Sequence, residues 1–309
     1  MGEELPDPSI TGVNPCGEIP LAHHEPCNLA ELFLPNINSL DEMKKLARLL
    51  YKGQKAIAAM EYLDPRTNEI VHKNMRLGLS VSGVMQATEK LDWLSPTYED
   101  LREFDAEWSF EHGLPESIRL TTVKPSGTVS LLAGVTPGVH PGYSTYHIRR
   151  VRMAANDALV EYCRDNGFAT EFVRGFDGKE DHDTIVVSFP CRFPDGTLVA
   201  EDVDPLYQLE MVRRLQTDWA DNAVSCTVYY RKEDLEDIQG YLKEHWPQMK
   251  SVSFLLHSDH GFDQAPLEEI TEEEYLDLVS KVEDITPIEA NTFTTNLMDD
   301  CDGGSCAIR

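Results

Sequence analysis

The sequence predicts an α/β fold, a parallel sheet or barrel covered by helices. Three observations carry that expectation. Segments with helical spacing of apolar residues alternate along the chain with short β-type segments. The later strands, Ala223 to Tyr230 and Val252 to Leu256, are largely apolar on both faces, as strands buried between helices are. The candidate strands number four or five, about half of what a closed barrel usually has.

The elements follow in order. Residues 1–38 are rich in Pro, Gly, Asn and His and read as one long irregular stretch, while Ile19, Leu21, Leu29, Leu32 and Phe33 argue against disorder. Residues 40–62 read as an amphipathic helix on the spacing of Leu40, Met43, Leu46, Ala47, Leu50, Ile57 and Met60. Residues 75–92 read as a helix whose Gly78, Ser82 and Gly83 allow close packing, and 97–112 as another. Ile118 to Val123 reads as a strand running straight into Lys124-Pro125-Ser126-Gly127-Thr128-Val129-Ser130. A helix over about 155–166 and a strand from Thr184 to Pro190 come next. Residues 205–221 form a helix with Leu206, Leu209, Met211, Val212, Leu215 and Trp219 on its apolar side, and 233–245 and 272–283 form two more. Beyond about residue 290 apolar anchors are few, and Gly303-Gly304 predicts a mobile tail.

Composition excludes some functions. There are 54 acidic against 27 basic residues, a net charge of -27, which repels a nucleic-acid backbone. A small anion is still accommodated by backbone amides at a helix start. No apolar run reaches the roughly 20 residues needed to span a bilayer. The N-terminus, Met1-Gly2-Glu3-Glu4-Leu5-Pro6, is acidic rather than apolar, so the expectation is a cytoplasmic chain. The 7 cysteines are then expected to be reduced, with Cys163, Cys191 and Cys226 packed in helices or strands.

Three motifs carry chemistry. In Asn14-Pro15-Cys16-Gly17-Glu18, Pro15 and Gly17 flank the cysteine and predict a tight, exposed turn, and an extended loop would put Asn14, Cys16 and Glu18 on one side. A thiol, a carboxylate and an amide then suit a nucleophile with its base, or a thiol exchanging a hydrogen atom while the acid moves a proton. A turn with a structural cysteine is the plainer alternative. Pro125, Ser126, Gly127, Thr128, Val129 and Ser130 form a Gly-containing loop with three hydroxyls, which suits an anion site or an ordinary N-capped helix. Cys301 and Cys306 flank Gly303-Gly304, which suits a redox dithiol on a swinging tail better than a two-ligand zinc site. His23 and His24 with Cys16 and Cys27 do not have a usual zinc spacing.

Together these segments resemble the catalytic half of a ribonucleotide reductase. Asn14-Pro15-Cys16-Gly17-Glu18-Ile19 resembles the family's finger loop with its thiyl-radical cysteine. Cys27, within Pro26-Cys27-Asn28-Leu29, resembles one member of the reducing pair in the adenosylcobalamin-dependent (class II, monomeric) enzymes. Pro125 to Ser130 resembles the loop for the substrate phosphates, and Cys301 with Cys306 the tail dithiol. Family members that use a separate radical-generating subunit carry a tyrosine dyad on a late strand; here Ser251-Val252-Ser253-Phe254-Leu255-Leu256 has leucines there, and Tyr229-Tyr230 lies on the preceding strand.

The resemblance implies the second half of a ten-stranded α/β barrel: a finger-loop segment over 1–38, a half-barrel catalytic domain over 39–290 and a redox tail over 291–309. It implies reduction of ribonucleoside triphosphates, with adenosylcobalamin as radical source and a thioredoxin-like reductant. Cys16 would be the radical carrier, Glu18 the acceptor of the ribose 3′-hydroxyl proton, Asn14 a hydrogen-bonding partner of the ribose, and Cys27 half of the reducing pair. Only thirteen residues precede Asn14, so the expected partner is a separate N-terminal chain carrying the nucleotide effector site and the other reducing cysteine. The alternatives are a class I catalytic subunit needing a metal-containing partner, and a non-catalytic metal-binding protein.

Overall fold

A computed structural model describes residues 7, 9–175, 178–257 and 264–283. In chain order the elements are β1 (Ile10–Val13), β2 (Pro20–Ala22), β3 (Leu29–Phe33), α1 (Leu40–Ala58), α2 (Pro65–Asn74), β4 (Gly78–Ser82), α3 (Leu94–His112) and α4 (Val129–Leu132). There follow β5 (Tyr146–Ala154), α5 (Ala158–Asp165), β6 (Ala169–Arg174), β7 (Glu180–Arg192), α6 (Pro205–Asp218), β8 (Thr227–Tyr230), α7 (Leu235–His245), β9 (Ser253–Leu256), β10 (Leu267–Glu269) and α8 (Glu272–Ser280). They fall into two compact units, one of residues 1–142 with 193–259 and one of 143–192 with 260–309.

The first unit is built on parallel strands. β3 runs parallel to β4, with Leu29 beside Gly78 and Phe33 beside Ser82. Leu79 of β4 bridges in parallel to Thr121, and Val123 to Val224. β8 continues from there and runs parallel to β9. The spatial order is therefore β3, β4, the extended segment around 121–123, the run into β8, and β9, which is also their order in the sequence. Helices lie in the connections: α1 and α2, α3, α6, then α7. Leu79, Val81, Val123, Val224 and Val228 pack with Met43 and Tyr51 of α1, Leu101 of α3, Leu209 and Leu215 of α6 and Trp219 just after it in one core.

Capping and one buried ion pair fix these helices. The Ser39 hydroxyl accepts from Glu42 N–H at 3.2 Å and starts α1, and Asp204 does the same for α6 from Leu206 N–H at 2.7 Å. Lys55 of α1 and Asp105 of α3 are both about 1% exposed and 2.9 Å apart. Lys55 also donates to Pro115 O at 2.7 Å and Ser117 Oγ at 2.9 Å, and Tyr51 donates to Asp105 at 2.6 Å. Every partner of this buried pair lies close to it, which is the condition for such a pair not to be a net cost.

The second unit carries an antiparallel sheet in the order β10-β5-β7-β6, and α5 covers a small cluster of Val160, Cys163, Ile185 and Val187.

Four expectations change. Residues 75–92 contain β4 and short 3₁₀ turns, not a helix. The reason is a period of two: Gly78, Ser80 and Ser82 alternate with Leu79 and Val81. The stretch 1–38 is not irregular throughout, since β1 and β2 form a hairpin and β3 is a core strand. α1 ends at Ala58, leaving Ile57 and Met60 exposed rather than on a buried stripe. The strand at Thr184 to Pro190 is the middle of β7 and pairs antiparallel with β5 and β6, both missed. β5 reads Tyr-His-Ile-Arg-Arg-Val-Arg-Met-Ala, and its arginines hide the strand signal. The tail with Cys301 and Cys306 lies outside the described residues.

Candidate active site

The β1–β2 hairpin presents residues 14–19 at its tip. Asn14 N–H donates to Ile19 O at 3.1 Å, Ile19 N–H donates to Asn14 Oδ1 at 2.9 Å, and Gly17 N–H donates to Asn14 O at 2.9 Å. Gly17 turns the chain at φ 81°, which a residue with a Cβ rarely adopts. The segment is thus the tight turn that Pro15 and Gly17 predict, and only the extended spacing of Asn14, Cys16 and Glu18 is not kept. The turn exposes Cys16, while Asn14 and Glu18 are buried.

The parallel strands hold this loop from below. Cys16 O accepts from Ser225 Oγ at 2.7 Å, and Glu18 O accepts from Ala223 N–H at 2.9 Å and Thr122 Oγ1 at 3.1 Å. Ile19 lies against Gly78 of β4: a Cβ added there would sit 2.8 Å from Ile19 Cδ1 and 2.7 Å from Leu29 Cδ2. Glycine at 78 therefore makes the seat for the loop. Glu18 Oε2 is buried and has no hydrogen-bond partner among the described residues, although a buried carboxylate oxygen normally finds one.

Cys27 stands two residues before β3. Its neighbour Asn28 is pinned through its carbonyl, which accepts from Gly78 N–H at 2.9 Å and from Gln54 Nε2 at 2.9 Å. Glu25 anchors the same turn: it accepts from Ala22 N–H at 2.7 Å, Asn74 Nδ2 at 2.9 Å and Arg76 Nε at 3.1 Å. The Cys27 thiol is pushed up to about 11, by burial first, then by Glu18 and Cys16, with Lys124 opposing. Ile19, next to Glu18, and Leu29, two residues beyond Cys27, both meet at Gly78, so the finger loop and the Cys27 turn lie side by side. No disulfide joins Cys16 to Cys27.

Residues 125–130 begin where the strand segment around 121–123 ends. Ser126 takes a left-handed φ of 36°, its Oγ is buried without a hydrogen-bond partner among the described residues, and its carbonyl accepts from Ser130 Oγ. α4 follows, and the first N–H groups of a helix have no intrahelical acceptor.

Sequence reasoning passed over the residues that tie these segments together. Glu31 of β3 lies 2.7 Å from Lys124 Nζ and accepts from Ser82 Oγ. Ser82 Oγ accepts from Gly138 N–H at 2.8 Å, and Lys124 N–H donates to Ser80 Oγ at 2.9 Å. One signal was available: a lone glutamate inside the apolar run Leu29-Ala30-Glu31-Leu32-Phe33 needs a buried partner. Among the described residues no group of three or more His, Cys, Asp or Glu side chains is placed to hold a metal ion, and no helix is long and apolar enough to cross a membrane.

Strands in parallel order, helices between them and a thiol-bearing loop seated on them define an α/β barrel-type fold. Residues 97–252 match the family described as ribonucleotide reductase, barrel domain, and the chain belongs to that family. It is 32% identical, over 98% of its length, to a "probable adenosylcobalamin-dependent ribonucleoside-triphosphate reductase" of Dictyostelium discoideum, covering 41% of that protein. It is 34% identical, over 97% of its length, to the adenosylcobalamin-dependent ribonucleoside-triphosphate reductase of Euglena gracilis, covering 42% of it. The chain thus spans less than half the length of these curated relatives. Among solved structures, a B12-dependent (class II) ribonucleotide reductase matches at a TM-score of 0.76 and 27% identity, over 94% of this chain and 44% of that one. The class Id alpha subunit of Actinobacillus ureae matches at 0.55 and 16% identity, over 81% and 54%, a likeness of fold.

Proposed function

We propose that this chain supplies the catalytic loop and phosphate loop of an adenosylcobalamin-dependent ribonucleoside-triphosphate reductase. The observation that carries the reading is the convergence of an exposed Cys16, a buried Glu18 with one oxygen unpartnered, and Cys27 on the parallel strands that lead into residues 125–130. The relatives' names supply the substrate class and the cofactor. Because the chain spans under half of those relatives, the proposal concerns an assembly that also holds the remaining span. The resemblance implies that this remaining span holds the nucleotide effector site and the second reducing cysteine.

The donor set fits a radical cofactor, because Cys16 offers an exposed thiol at the tip of a fixed turn. Adenosylcobalamin, when bound, supplies the radical chemistry. Cys16, as a thiyl, takes the 3′ hydrogen of the ribose and returns it to C3′ after the reduction at C2′, which regenerates the thiyl. Glu18 Oε2, the oxygen left without a partner, takes the 3′-hydroxyl proton. Asn14 has its carbonyl oxygen engaged by Ile19 N–H, so its amide nitrogen is the group left to donate to a ribose hydroxyl. Water leaves from C2′. Cys27 and the second cysteine give up two electrons and two protons and become a disulfide. Cys301 and Cys306 re-reduce that disulfide by exchange, and a thioredoxin-like protein re-reduces them. Ser126 Oγ and the first amides of α4 take the substrate phosphates.

The test is reduction of a ribonucleoside triphosphate by this chain combined with the remaining span of a relative. Product is expected with adenosylcobalamin and a dithiol and with no second metalloprotein. Product only after addition of a metal-containing radical-generating subunit would overturn the cofactor assignment in favour of a class I enzyme.

A further inference from the structure

Residues 125–137 leave the strand segment around 121–123 at Lys124 and return beside it at Gly138, and both ends of that excursion close on one carboxylate. At the entry, Lys124 N–H donates to Ser80 Oγ at 2.9 Å, and Lys124 Nζ lies 2.7 Å from Glu31 Oε2. At the exit, Gly138 N–H donates to Ser82 Oγ at 2.8 Å, and Ser82 Oγ donates to the other oxygen of Glu31, Oε1. Gly83 N–H donates to Thr136 O at 2.9 Å and Val84 N–H to Gly138 O at 3.2 Å, which ties the exit to the turn after β4. The two ends also touch, since a Cβ at Gly138 would run into Lys124 O. The side chains of Glu31 and Lys124 are 3% and 16% exposed. A carboxylate so deep in a strand needs compensation, and the lysine and the serine supply it. Within the loop, Ser126 is 8% exposed, takes a left-handed φ of 36°, and its Oγ has no hydrogen-bond partner among the described residues. A residue with a Cβ keeps such a conformation only where its surroundings impose it.

We propose that Glu31 is a positioning residue for the substrate phosphates: its two oxygens hold the entry and the exit of the 125–137 loop, so that Ser126 Oγ meets the phosphates in a fixed place. The role deepens the proposed function, since it rests on Ser126 as a phosphate ligand. Glu31 acts through other residues, because Ser82 takes one of its oxygens and Lys124 the other. Lys124, in turn, is a structural cation here and not a phosphate ligand, as its ammonium is already paired with a buried carboxylate. A loop fixed before the substrate arrives pays no ordering cost on binding, and that saving appears as affinity. The two possible roles of Lys124 differ in sign. If the pair positions the loop, loss of the Glu31 charge weakens binding; if Lys124 were a phosphate ligand restrained by Glu31, the same change would release it and tighten binding.

The test is steady-state kinetics of the enzyme assembled from this chain and the remaining span, with the ribonucleoside triphosphate varied and adenosylcobalamin and a dithiol held constant. Glu31→Gln is expected to raise KM about tenfold and leave kcat within about twofold, the pattern of binding lost equally from ground and transition states. Lys124→Met should raise KM similarly and also lower the melting temperature, because it leaves the buried Glu31 charge unpaired. The double variant Glu31→Gln/Lys124→Met removes both charges. It should recover the melting temperature and keep the raised KM, which separates placement of the loop from stability and serves where Lys124→Met fails to fold. A KM that returns to wild type together with the melting temperature, a loss confined to kcat, or a lowered KM in Glu31→Gln would overturn the proposal. Ser126→Ala separates it from the reading beneath it. An unchanged KM in Ser126→Ala would strike the phosphate role of the loop, and this role of Glu31 with it. A raised KM in Ser126→Ala beside an unchanged one in Glu31→Gln would strike the role of Glu31 alone.

Discussion

At Glu18 a single carboxylate has two consequences. Its Oε2 is buried without a hydrogen-bond partner among the described residues, and its charge raises the Cys27 thiol. Glu18→Gln keeps the size and removes the charge. The sign follows from the cause: without the carboxylate the Cys27 thiolate is less disfavoured, so its midpoint falls from about 11 and alkylation at pH 9 speeds up. The same variant should lose most turnover in the assembled enzyme, since an amide cannot take the 3′-hydroxyl proton. Faster alkylation with full turnover would deny Glu18 its proposed role as base. These residues were legible in sequence because Pro15, Gly17 and the spacing of Asn14, Cys16 and Glu18 form a compact local signature. Lys124 and Glu31 were not, because their pairing joins residues far apart in the chain and only the parallel register brings β3 toward the segment after 121–123.

At the scale of elements, two close approaches hold the site. Ile19 rests where Gly78 has no side chain, so Gly78→Ala pushes against Ile19 Cδ1 and Leu29 Cδ2. Overpacking of this kind costs about 1–3 kcal/mol; the expectation is a lower melting temperature together with a displaced finger loop and reduced turnover. A variant as stable and active as wild type would show that the loop does not depend on this seat. The pair Lys55–Asp105, which joins α1 to α3, gives a second prediction. Lys55→Met strands a buried carboxylate and should cost about 3–5 kcal/mol by denaturant unfolding, whereas a double change that also makes Asp105→Leu should recover most of it. Most of the helices were readable from sequence, as apolar stripes are a local signal, whereas the short α2 was not. β4 was misread because Gly, Ser and Leu carry little strand preference, and its identity comes from lying between β3 and the 121–123 segment.

At the scale of the molecule, the parallel order of β3, β4, the 121–123 segment, β8 and β9 places three loop systems together: the hairpin tip, the turn before β3 and the loop before α4. The antiparallel pairing of β7 with β5 and β6 escaped sequence reading because the arginines of β5 mask alternation, and it accounts for the part of the chain where a parallel sheet was expected and is absent. The central claim is that Cys16 carries the radical. Its most direct test is Cys16→Ser in the assembly of this chain with the remaining span, assayed for deoxyribonucleotide with adenosylcobalamin and a dithiol. The account predicts no product above background, with nucleotide binding and melting temperature unchanged; turnover within tenfold of wild type would contradict it.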